Sequence, residues 1–361
     1  MTGLKKARLI LAAIAFLALA ASCKAGYQKF QGEFDALFDT HAEIIGYSKS
    51  HAQFDRHAQV IYDKMKKSSE LFDIYYDYDG VANLKTVNES AGIAPVKVDP
   101  EVIDLLKKCK ELYELTGKTV NVAMGPVLSI WHRYRENGLL DPASAELPDM
   151  DKLKAASLLA NMDDVIIDEV NQTVFLAKEG MSLDVGAIAK GYAAGNAMKA
   201  AVEAGMDSVL FNMGGNIISV GKPMDGVRDR WGVGIQDPSL EVSGISNILD
   251  TVFVNNIAIV SSGGYQRFYV VNGKKYNHII DPETLMPAVK HAAVTVVHED
   301  SCLADALSTA LFILDEDEGR ALASKAGAEA VWVAHDGTVT YTDGYKAISK
   351  EYGGYSGADP K

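Results

Sequence analysis

The sequence predicts an α+β fold with mixed, mostly antiparallel sheets and packed helices. Short apolar strands are joined by tight-turn signals, Asn272-Gly273 and Asp336-Gly337, which are typical of antiparallel hairpins. Helical segments interrupt these strands without the strict strand–helix alternation of a doubly wound parallel sheet. With 48% apolar residues in 361 positions, the chain can bury a large core.

The first 22 residues are predicted to be a signal peptide. Three basic residues precede an apolar run over 9–21, which is too short to span a bilayer comfortably. The run 19–23, Leu-Ala-Ala-Ser-Cys, resembles a bacterial lipobox. We therefore predict a lipidated Cys23, a tether over 23–32, and an exported, membrane-anchored lipoprotein that faces the periplasm or the cell exterior. The alternative is an ordinary signal peptide cleaved nearby, with Cys23 incidental.

One domain is predicted over residues 33–350, followed by a flexible tail over 351–361. Helical periodicity continues through residues 33–72, and an amphipathic helix is predicted over 100–116 with Asp99 as its N-cap. The remaining elements are strands over 165–170, 173–177, 209–215, 217–221, 231–236, 251–260, 266–271, 276–280, 292–297, 330–334 and 338–342, and helices over 186–204 and 303–314.

The charge balance disfavours two classes of partner. The net charge is −13, and of the 35 basic residues that face 48 acidic ones, three lie in the predicted signal peptide. Such an acidic chain argues against nucleic acid or an anionic membrane surface as the main partner. An anionic ligand would have to be held by local groups: a metal ion, helix N-termini or a few placed cations.

The histidines and cysteines give no metal-ligand pattern. His41, His51 and His57 are spaced so that no helical face gathers them, and surface positions are predicted. Cys109 and Cys302 are predicted to be buried as small hydrophobic residues, and a disulfide between them stays open.

A pair of oxygen-bearing side chains marks the helix predicted over 303–314. Asp305 and Thr309 are four residues apart and share one helical face, with Ser308 beside them. Carboxylate, hydroxyl and carbonyl oxygens suit magnesium better than zinc. The alternative is that Asp305 only complements the dipole at a helix N-terminus.

A turn followed by a helix could hold a phosphate. Asp184 and Gly186 lead into the helix predicted over 186–204, and Lys190 falls one turn inside it. This arrangement could present backbone amides and one ammonium group to a phosphate. In the alternative, Asp184 only caps the helix and Lys190 is solvated.

His278 lies on the predicted return strand of the Asn272-Gly273 hairpin. It could bind a phosphate oxygen or act as an acid or base, although a satisfied core histidine is the alternative. Glycine pairs end two apolar strands at 214–215 and 263–264, but neither fits the Gly-x-Gly-x-x-Gly or Gly-x-x-x-x-Gly-Lys pattern. Signatures of serine hydrolases, zincins and thiol oxidoreductases are also missing from the sequence.

Taken together and in order, these motifs resemble the ApbE family, the FAD:protein FMN transferases. The resemblance covers about residues 34–314 and continues more loosely beyond. The matching segments are Phe38-Asp39-Thr40, Tyr78 ahead of Asn88, 117–126 with Trp131 downstream, 184–192, 214–216, 262–267, 278–287 and 305–309.

The resemblance implies a fold related to the T-fold and a set of site residues. Magnesium would be held by the Ala187 carbonyl, Asp305 and Thr309, with Ser308 nearby. Lys190, His278 and Asp305 would be catalytic, with Lys190 and His278 supplying positive charge or hydrogen bonds to the pyrophosphate. FAD would contact Phe38, Thr40, Tyr78, Thr119, Val120, Asn121, Asp184, Lys190, His278 and Ile279.

Four positions depart from the family pattern. Phe38 replaces Met, Asn121 and Asn216 replace Asp, and Leu285 replaces Gly. The two Asp-to-Asn changes remove charge beside the expected ligand, which could alter the number of metals or the dominant activity. Leu285 is expected only to change turn geometry.

The reaction implied is cleavage of the FAD pyrophosphate, with FMN passing to a Ser or Thr hydroxyl of a partner flavoprotein and AMP leaving. Magnesium would neutralise the pyrophosphate and the charge developing at phosphorus. Three alternatives stay open: hydrolysis of FAD to FMN and AMP, a lipoprotein that binds FAD without turnover, and a solute-binding lipoprotein for another nutrient.

Overall fold

A computed structural model of the chain describes residues 26–239, 248–265 and 267–354. The predicted signal peptide and Cys23 lie outside the described residues. In the described part, no helix has both the length and the apolar character needed to cross a bilayer.

An eight-stranded antiparallel sheet forms the centre of the fold, with the strand order β1-β2-β6-β7-β10-β13-β14-β15. Three small sheets accompany it, ordered β3-β5-β4, β8-β9 and β11-β12. The strands are β1 Gln28–Leu37, β2 Thr40–Ser48, β3 Val96–Lys97, β4 Val165–Asp168, β5 Thr173–Leu176, β6 Val209–Met213, β7 Asn216–Val220, β8 Trp231–Gln236, β9 Ile248–Val254, β10 Ala258–Gly263, β11 Phe268–Val271, β12 Lys274–Asn277, β13 Ala293–His298, β14 Glu329–Val333 and β15 Val339–Tyr341.

Eight α-helices accompany these strands in the described residues. They are α1 His51–Phe72, α2 Leu84–Glu89, α3 Pro100–Leu115, α4 Gly125–Leu140, α5 Met150–Ser157, α6 Ala189–Glu203, α7 Ser301–Ile313 and α8 Glu316–Ala326. Asp99 caps α3 as predicted, because its side chain accepts the amide hydrogen of Glu101. The prediction of an α+β fold with mostly antiparallel strands is confirmed.

The two faces of the central sheet are covered by different elements. Val260 of β10 belongs to the core shared with α1, α6 and α7. Ile259, its neighbour, packs instead with the β8-β9 sheet and with Tyr345 near the C-terminal end of the described chain. This alternation is the expected period of two for a strand buried on both faces. Helices thus cover one face, and a hairpin with the C-terminal segment covers the other.

The N-terminal part of the body differs from the prediction. Residues 33–48 form the β1-β2 hairpin and not a helix, because inward positions alternate along β2 with a period of two, as at Ala42 and Ile44. Helical periodicity belongs only to α1. The predicted tether over 23–32 is also wrong from Gln28 onward, because β1 begins there.

Three further predictions need correction. The strand predicted over 251–260 is two strands, because the chain turns at Asn256, whose φ is +55°. His57, which is predicted to be a surface residue, is buried. Its imidazole forms a hydrogen bond with the carbonyl of Ala204 at the C-terminus of α6. The predicted tail over 351–361 begins inside the packed body, since the Tyr352 ring lies 4.2 Å from that of Tyr341.

Cys109 and Cys302 are buried, as predicted, and both are free thiols.

Candidate active site

A cavity of about 960 Å³ collects nearly all of the predicted site residues. Ser308 is the one predicted site residue of the described ranges that does not line it. Its fully buried hydroxyl donates to the Asp305 carbonyl and also bonds to the Ser262 hydroxyl, each at 2.8 Å. The predicted residues that line the cavity are Phe38, Thr40, Tyr78, Thr119, Val120, Asn121, Asp184, Ala187, Lys190, His278, Ile279, Asp305 and Thr309.

Asp305 places a buried carboxylate at the cavity wall, where helices α6 and α7 touch. Its side chain is only 4% exposed, and Oδ2 accepts the Gly191 amide hydrogen at 2.8 Å. The ammonium group of Lys190 lies 3.9 Å from Oδ1. Burial raises the pKa of Asp305, and this is opposed by the Lys190 charge and by the Gly191 amide.

Gly191 is required for this contact between the helices. A Cβ at Gly191 would lie 2.6 Å from Asp305 Cβ and 2.3 Å from the Ser301 carbonyl oxygen, which is closer than such atoms can approach. The absence of a side chain therefore lets the backbone of α6 reach the carboxylate on α7.

The turn before α6 is organised by Asp184 and Lys190. Asp184 Oδ1 accepts the Gly186 amide hydrogen at 2.9 Å, and Lys190 Nζ donates to the Gly186 carbonyl at 3.2 Å. The helix begins at Ala189, three residues later than predicted, so Asp184 stabilises the preceding turn and does not cap the helix. Lys190 is held at the cavity and is not simply solvated.

The oxygen donors at this wall fit a hard cation. Asp305 offers a carboxylate, Thr309 a hydroxyl and Ala187 a backbone carbonyl, and all three residues line the cavity. No cluster of three or more His, Cys, Asp or Glu occurs among the described residues, so a soft, imidazole- or thiolate-rich metal site has no candidate there. Buried Asn216 also lines the cavity, and its Nδ2 atom has no hydrogen-bond partner in the described structure.

His278 faces the cavity as a neutral base. Its Nδ1 atom lies 3.2 Å from the Arg267 carbonyl, so Nδ1 carries the proton and Nε2 is left as an acceptor. Burial, followed by the charges of Arg267, Arg135 and Lys190, lowers the pKa of His278 to about 4. Near neutral pH this direction favours a hydrogen-bonding or proton-accepting role for His278 over the positive charge that the resemblance also allows.

The aromatic side of the cavity is formed by the β1-β2 turn and the segment after α1. Phe38 adopts φ +53°, a left-handed conformation that is unfavourable for a bulky residue. Thr40 is packed so closely that a Cβ at Gly214 would lie 2.3 Å from its hydroxyl oxygen. The hydroxyl of Tyr78 donates to Asp73 at 2.8 Å. These contacts hold the predicted flavin-contact residues in fixed positions.

One departure from the family pattern has a local structural explanation, and a second stands where the backbone favours the glycine that it replaces. Asn121 Oδ1 accepts the Ala123 amide hydrogen at 2.9 Å. Its Nδ2 atom donates to the Ala160 carbonyl at 2.8 Å, and an ionised aspartate could not donate this second bond. Leu285 adopts φ +59°, a conformation that favours glycine, and its carbonyl accepts the Trp131 indole hydrogen.

The sequence does not predict the three arginines that line the cavity, one of which is Arg133. Arg135 of α4 and Arg267 of the β10-β11 connection are the other two, and Arg267 binds His278 through its carbonyl. The signal that could have found Arg135 is the run His-Arg-Tyr-Arg at 132–135, which is unusually basic for this acidic chain and directly follows Trp131. Arg267 was part of a matched motif but was given no role.

Comparisons with known proteins agree with this geometry. The sequence profile of the ApbE family matches residues 19–332. The chain is 34% identical over 274 residues to a FAD:protein FMN transferase of Treponema pallidum, covering 72% of this chain and 73% of the relative. It is 30% identical over 249 residues to a FAD:protein FMN transferase of Klebsiella pneumoniae, covering 68% and 73%.

Solved structures of similar fold include the ApbE protein of Thermotoga maritima. Its TM-score is 0.77 at 26% identity, with 89% of this chain and 99% of that chain covered. The flavin transferase ApbE of Vibrio cholerae matches with a TM-score of 0.72 at 21% identity, covering 89% and 100%. The family profile, the curated relatives and the fold agree, and this chain belongs to the ApbE family.

Proposed function

We propose that this protein is a magnesium-dependent FAD:protein FMN transferase. It would cleave the FAD pyrophosphate, attach FMN to a Ser or Thr hydroxyl of an acceptor protein, and release AMP. The observation that carries the proposal is the convergence on one cavity of a buried carboxylate, Asp305, an ammonium group, Lys190, and a neutral imidazole, His278. The curated relatives of similar sequence carry the same activity in their names.

The cavity is suited to a dinucleotide. Its volume of about 960 Å³ lies at the upper end of the roughly 300–1,000 Å³ typical of ligand pockets. Phe38, Tyr75 and Tyr78 give one side aromatic surface for a planar ring system. Lys190 of α6 also lines the cavity and offers positive charge for the phosphates.

Each residue near the reacting atoms has a separate task. Magnesium, held by the Ala187 carbonyl, Asp305 and Thr309, would neutralise phosphate charge. Lys190 binds a phosphate oxygen as a fixed point charge. His278 Nε2 accepts the proton of the acceptor hydroxyl, whose oxygen forms a new bond to the FMN phosphorus. The pyrophosphate P–O bond breaks, and AMP leaves with its electron pair.

The product mixture tests the proposal. The protein is incubated with FAD and magnesium, with and without a candidate acceptor flavoprotein, and the products are separated by chromatography. Transfer predicts AMP together with flavin that stays on the denatured acceptor. FMN and AMP formed at the same rate without an acceptor would indicate hydrolysis instead. Retained FAD with no AMP would leave only a binding function.

We also propose that the protein is exported and anchored by lipid at Cys23. The lipobox-like run at 19–23 and the preceding apolar segment support this. Wild-type protein expressed in its bacterial host is expected in the membrane fraction, and a Cys23→Ser variant in the soluble exported fraction. Equal membrane association of both would contradict the anchor.

A further inference from the structure

The cavity holds positive charge beyond Lys190. Arg135 and Arg267 both line it, and each guanidinium is a cause of the depressed pKa of His278, so both lie close to that imidazole. Burial and the charge of Arg267 also lower the pKa of Arg135. Two neighbouring guanidinium groups repel each other, and this raises the electrostatic free energy unless an anion binds between them.

Neither guanidinium forms a salt bridge with a carboxylate among the described residues, although the charges of Glu136 and Asp184 also act on Arg135 and raise its pKa. Throughout the described ranges, salt bridges connect other basic residues to carboxylates, but none involves Arg135 or Arg267. This is notable because 48 acidic residues are available in the chain against 35 basic ones. Positive charge left without a salt-bridge partner in such a protein indicates an anionic ligand.

Arg135 is also held in place. Its NH2 nitrogen lies 3.0 Å from His132 Nδ1, and His132 Nε2 lies 2.8 Å from Glu136. The His132 ring packs against the Tyr75 ring with centroids 5.5 Å apart. Arg135 is thus a positioned donor on a helix, whereas a solvated surface arginine would have no such support.

The cations already assigned to the pyrophosphate would balance its charge without these arginines, although Lys190 also acts on the His278 imidazole. FAD brings two negative charges on its pyrophosphate, and Lys190 with a divalent cation beside Asp305 would balance both. Cleavage adds a further negative charge, because the leaving phosphate loses its anhydride bond and becomes a monoester with one more ionisable oxygen. The group that needs new positive charge is therefore the phosphate of the departing nucleotide.

We propose that Arg135 and Arg267 form a phosphate-binding pair that holds the nucleotide phosphate as the pyrophosphate is cleaved. This inference rests on the proposed function. It adds two residues, Arg135 and Arg267, that would position the nucleotide phosphate during the reaction. The same chemistry is offered by the FAD phosphate before cleavage and by the AMP phosphate after it. Planar guanidinium groups suit phosphate oxygens better than a lysine would.

Calorimetric titration with AMP and separately with FAD, in the presence of magnesium, tests the pair. Arg135→Met and Arg267→Met should each weaken AMP binding about 10- to 100-fold. Arg56→Met is the matched control, because Arg56 is an exposed residue of α1 outside the cavity and its loss changes the net charge equally. Arg135→Lys keeps the charge and should recover only part of the affinity.

The outcomes separate the two sources of phosphate. Weakened binding of AMP alone would assign the pair to the leaving phosphate, and weakened binding of both ligands would assign it to FAD before cleavage. Affinities equal to those of Arg56→Met, in variants with wild-type thermal unfolding, would overturn the inference. If the wild type still cleaves FAD in that case, the proposed function stands without the pair. A wild type that binds neither ligand would overturn both.

Discussion

The helical wall of the cavity (Ala187, Lys190, Asp305 and Thr309) and its arginine wall (Arg135, Arg267 and His278) are built in different ways. The helical wall joins α7, where Asp305 and Thr309 lie one turn apart, to Lys190 of α6 and to Ala187 in the turn before that helix. The arginine wall collects single residues from α4, from the β10-β11 connection and from the segment after β12.

The two walls also differ in charge and in what they can do. On the helical wall, burial raises the pKa of a carboxylate that is suited to a cation. On the arginine wall, burial and neighbouring positive charge keep an imidazole neutral and able to accept a proton. The comparison separates cation binding on the helical wall from proton transfer and nucleotide-phosphate binding on the arginine wall. Each prediction below tests one wall against the other.

The largest effect is expected on the arginine wall. Replacing His278 by Gln keeps a polar side chain but removes the proton acceptor, so kcat should fall by roughly 10²- to 10⁴-fold. FAD binding should change little, because the proposal gives His278 no charge to lose. Steady-state kinetics and FAD titration measure the two effects, and an equal loss in both would show that His278 mainly binds the ligand.

A somewhat smaller loss is expected on the helical wall. Asp305→Asn removes the carboxylate charge but keeps the shape, and turnover should fall by roughly 10²- to 10³-fold. The midpoint for magnesium activation should rise as well, which His278→Gln should not cause. Magnesium titrations of both variants test this distinction, and full activity of Asp305→Asn would refute the metal assignment.

The protonation state of His278 should change at an unusually low pH. Its pKa of about 4 in the folded protein lies below the ordinary 6.5, so the neutral base persists as pH falls and is lost only near pH 4. The unfolded chain takes up more protons between these values, so His278 favours folding above pH 6.5 and that contribution is lost as pH falls toward 4. Imidazole resonances followed by NMR would show the midpoint, and a midpoint near 6.5 would contradict the buried, neutral state.

The smallest effect is structural and is confined to the helical wall. Gly191→Ala should cost about 1–3 kcal/mol of unfolding free energy, because the added Cβ meets Ser301 and Asp305. Gly195→Ala, on the same helix, is the matched control. Its Cβ would meet only Ser301 Cβ at 3.7 Å, and alanine should stabilise the helix by up to about 1 kcal/mol. Chemical denaturation of both variants checks the sign, and equal shifts would show that the α6–α7 contact is not tight.

The helical wall could be predicted from the sequence because its residues are close to one another along the chain. Asp305 and Thr309 are neighbours on any α-helix, and the turn at 184–190 precedes one. The arginine wall was not readable in full, since Arg135 and Arg267 are brought together only by tertiary packing. Similarly, the sequence predicts a surface position for His57, because its partner, Ala204, is distant in sequence.

The sequence predicts secondary structure best where the apolar residues of a segment follow a single helical or strand periodicity. The α3 helix and the strand β8 lie where the pattern places them. The β1-β2 hairpin was missed because its turn, Phe38-Asp39, lacks glycine although both residues have positive φ. The Phe38 ring lies 6.5 Å from the Phe72 ring of α1, a tertiary contact that no local rule indicates.

The central claim is that one cavity cleaves FAD and passes FMN to a protein. The most direct measurement is the mass of an acceptor flavoprotein after incubation with FAD, magnesium and this protein, with AMP quantified in the same sample. The account predicts one phosphoester-linked FMN on the acceptor for each AMP released, and neither product with Asp305→Asn on the same timescale. AMP released without any flavin on a saturating acceptor would contradict the transfer.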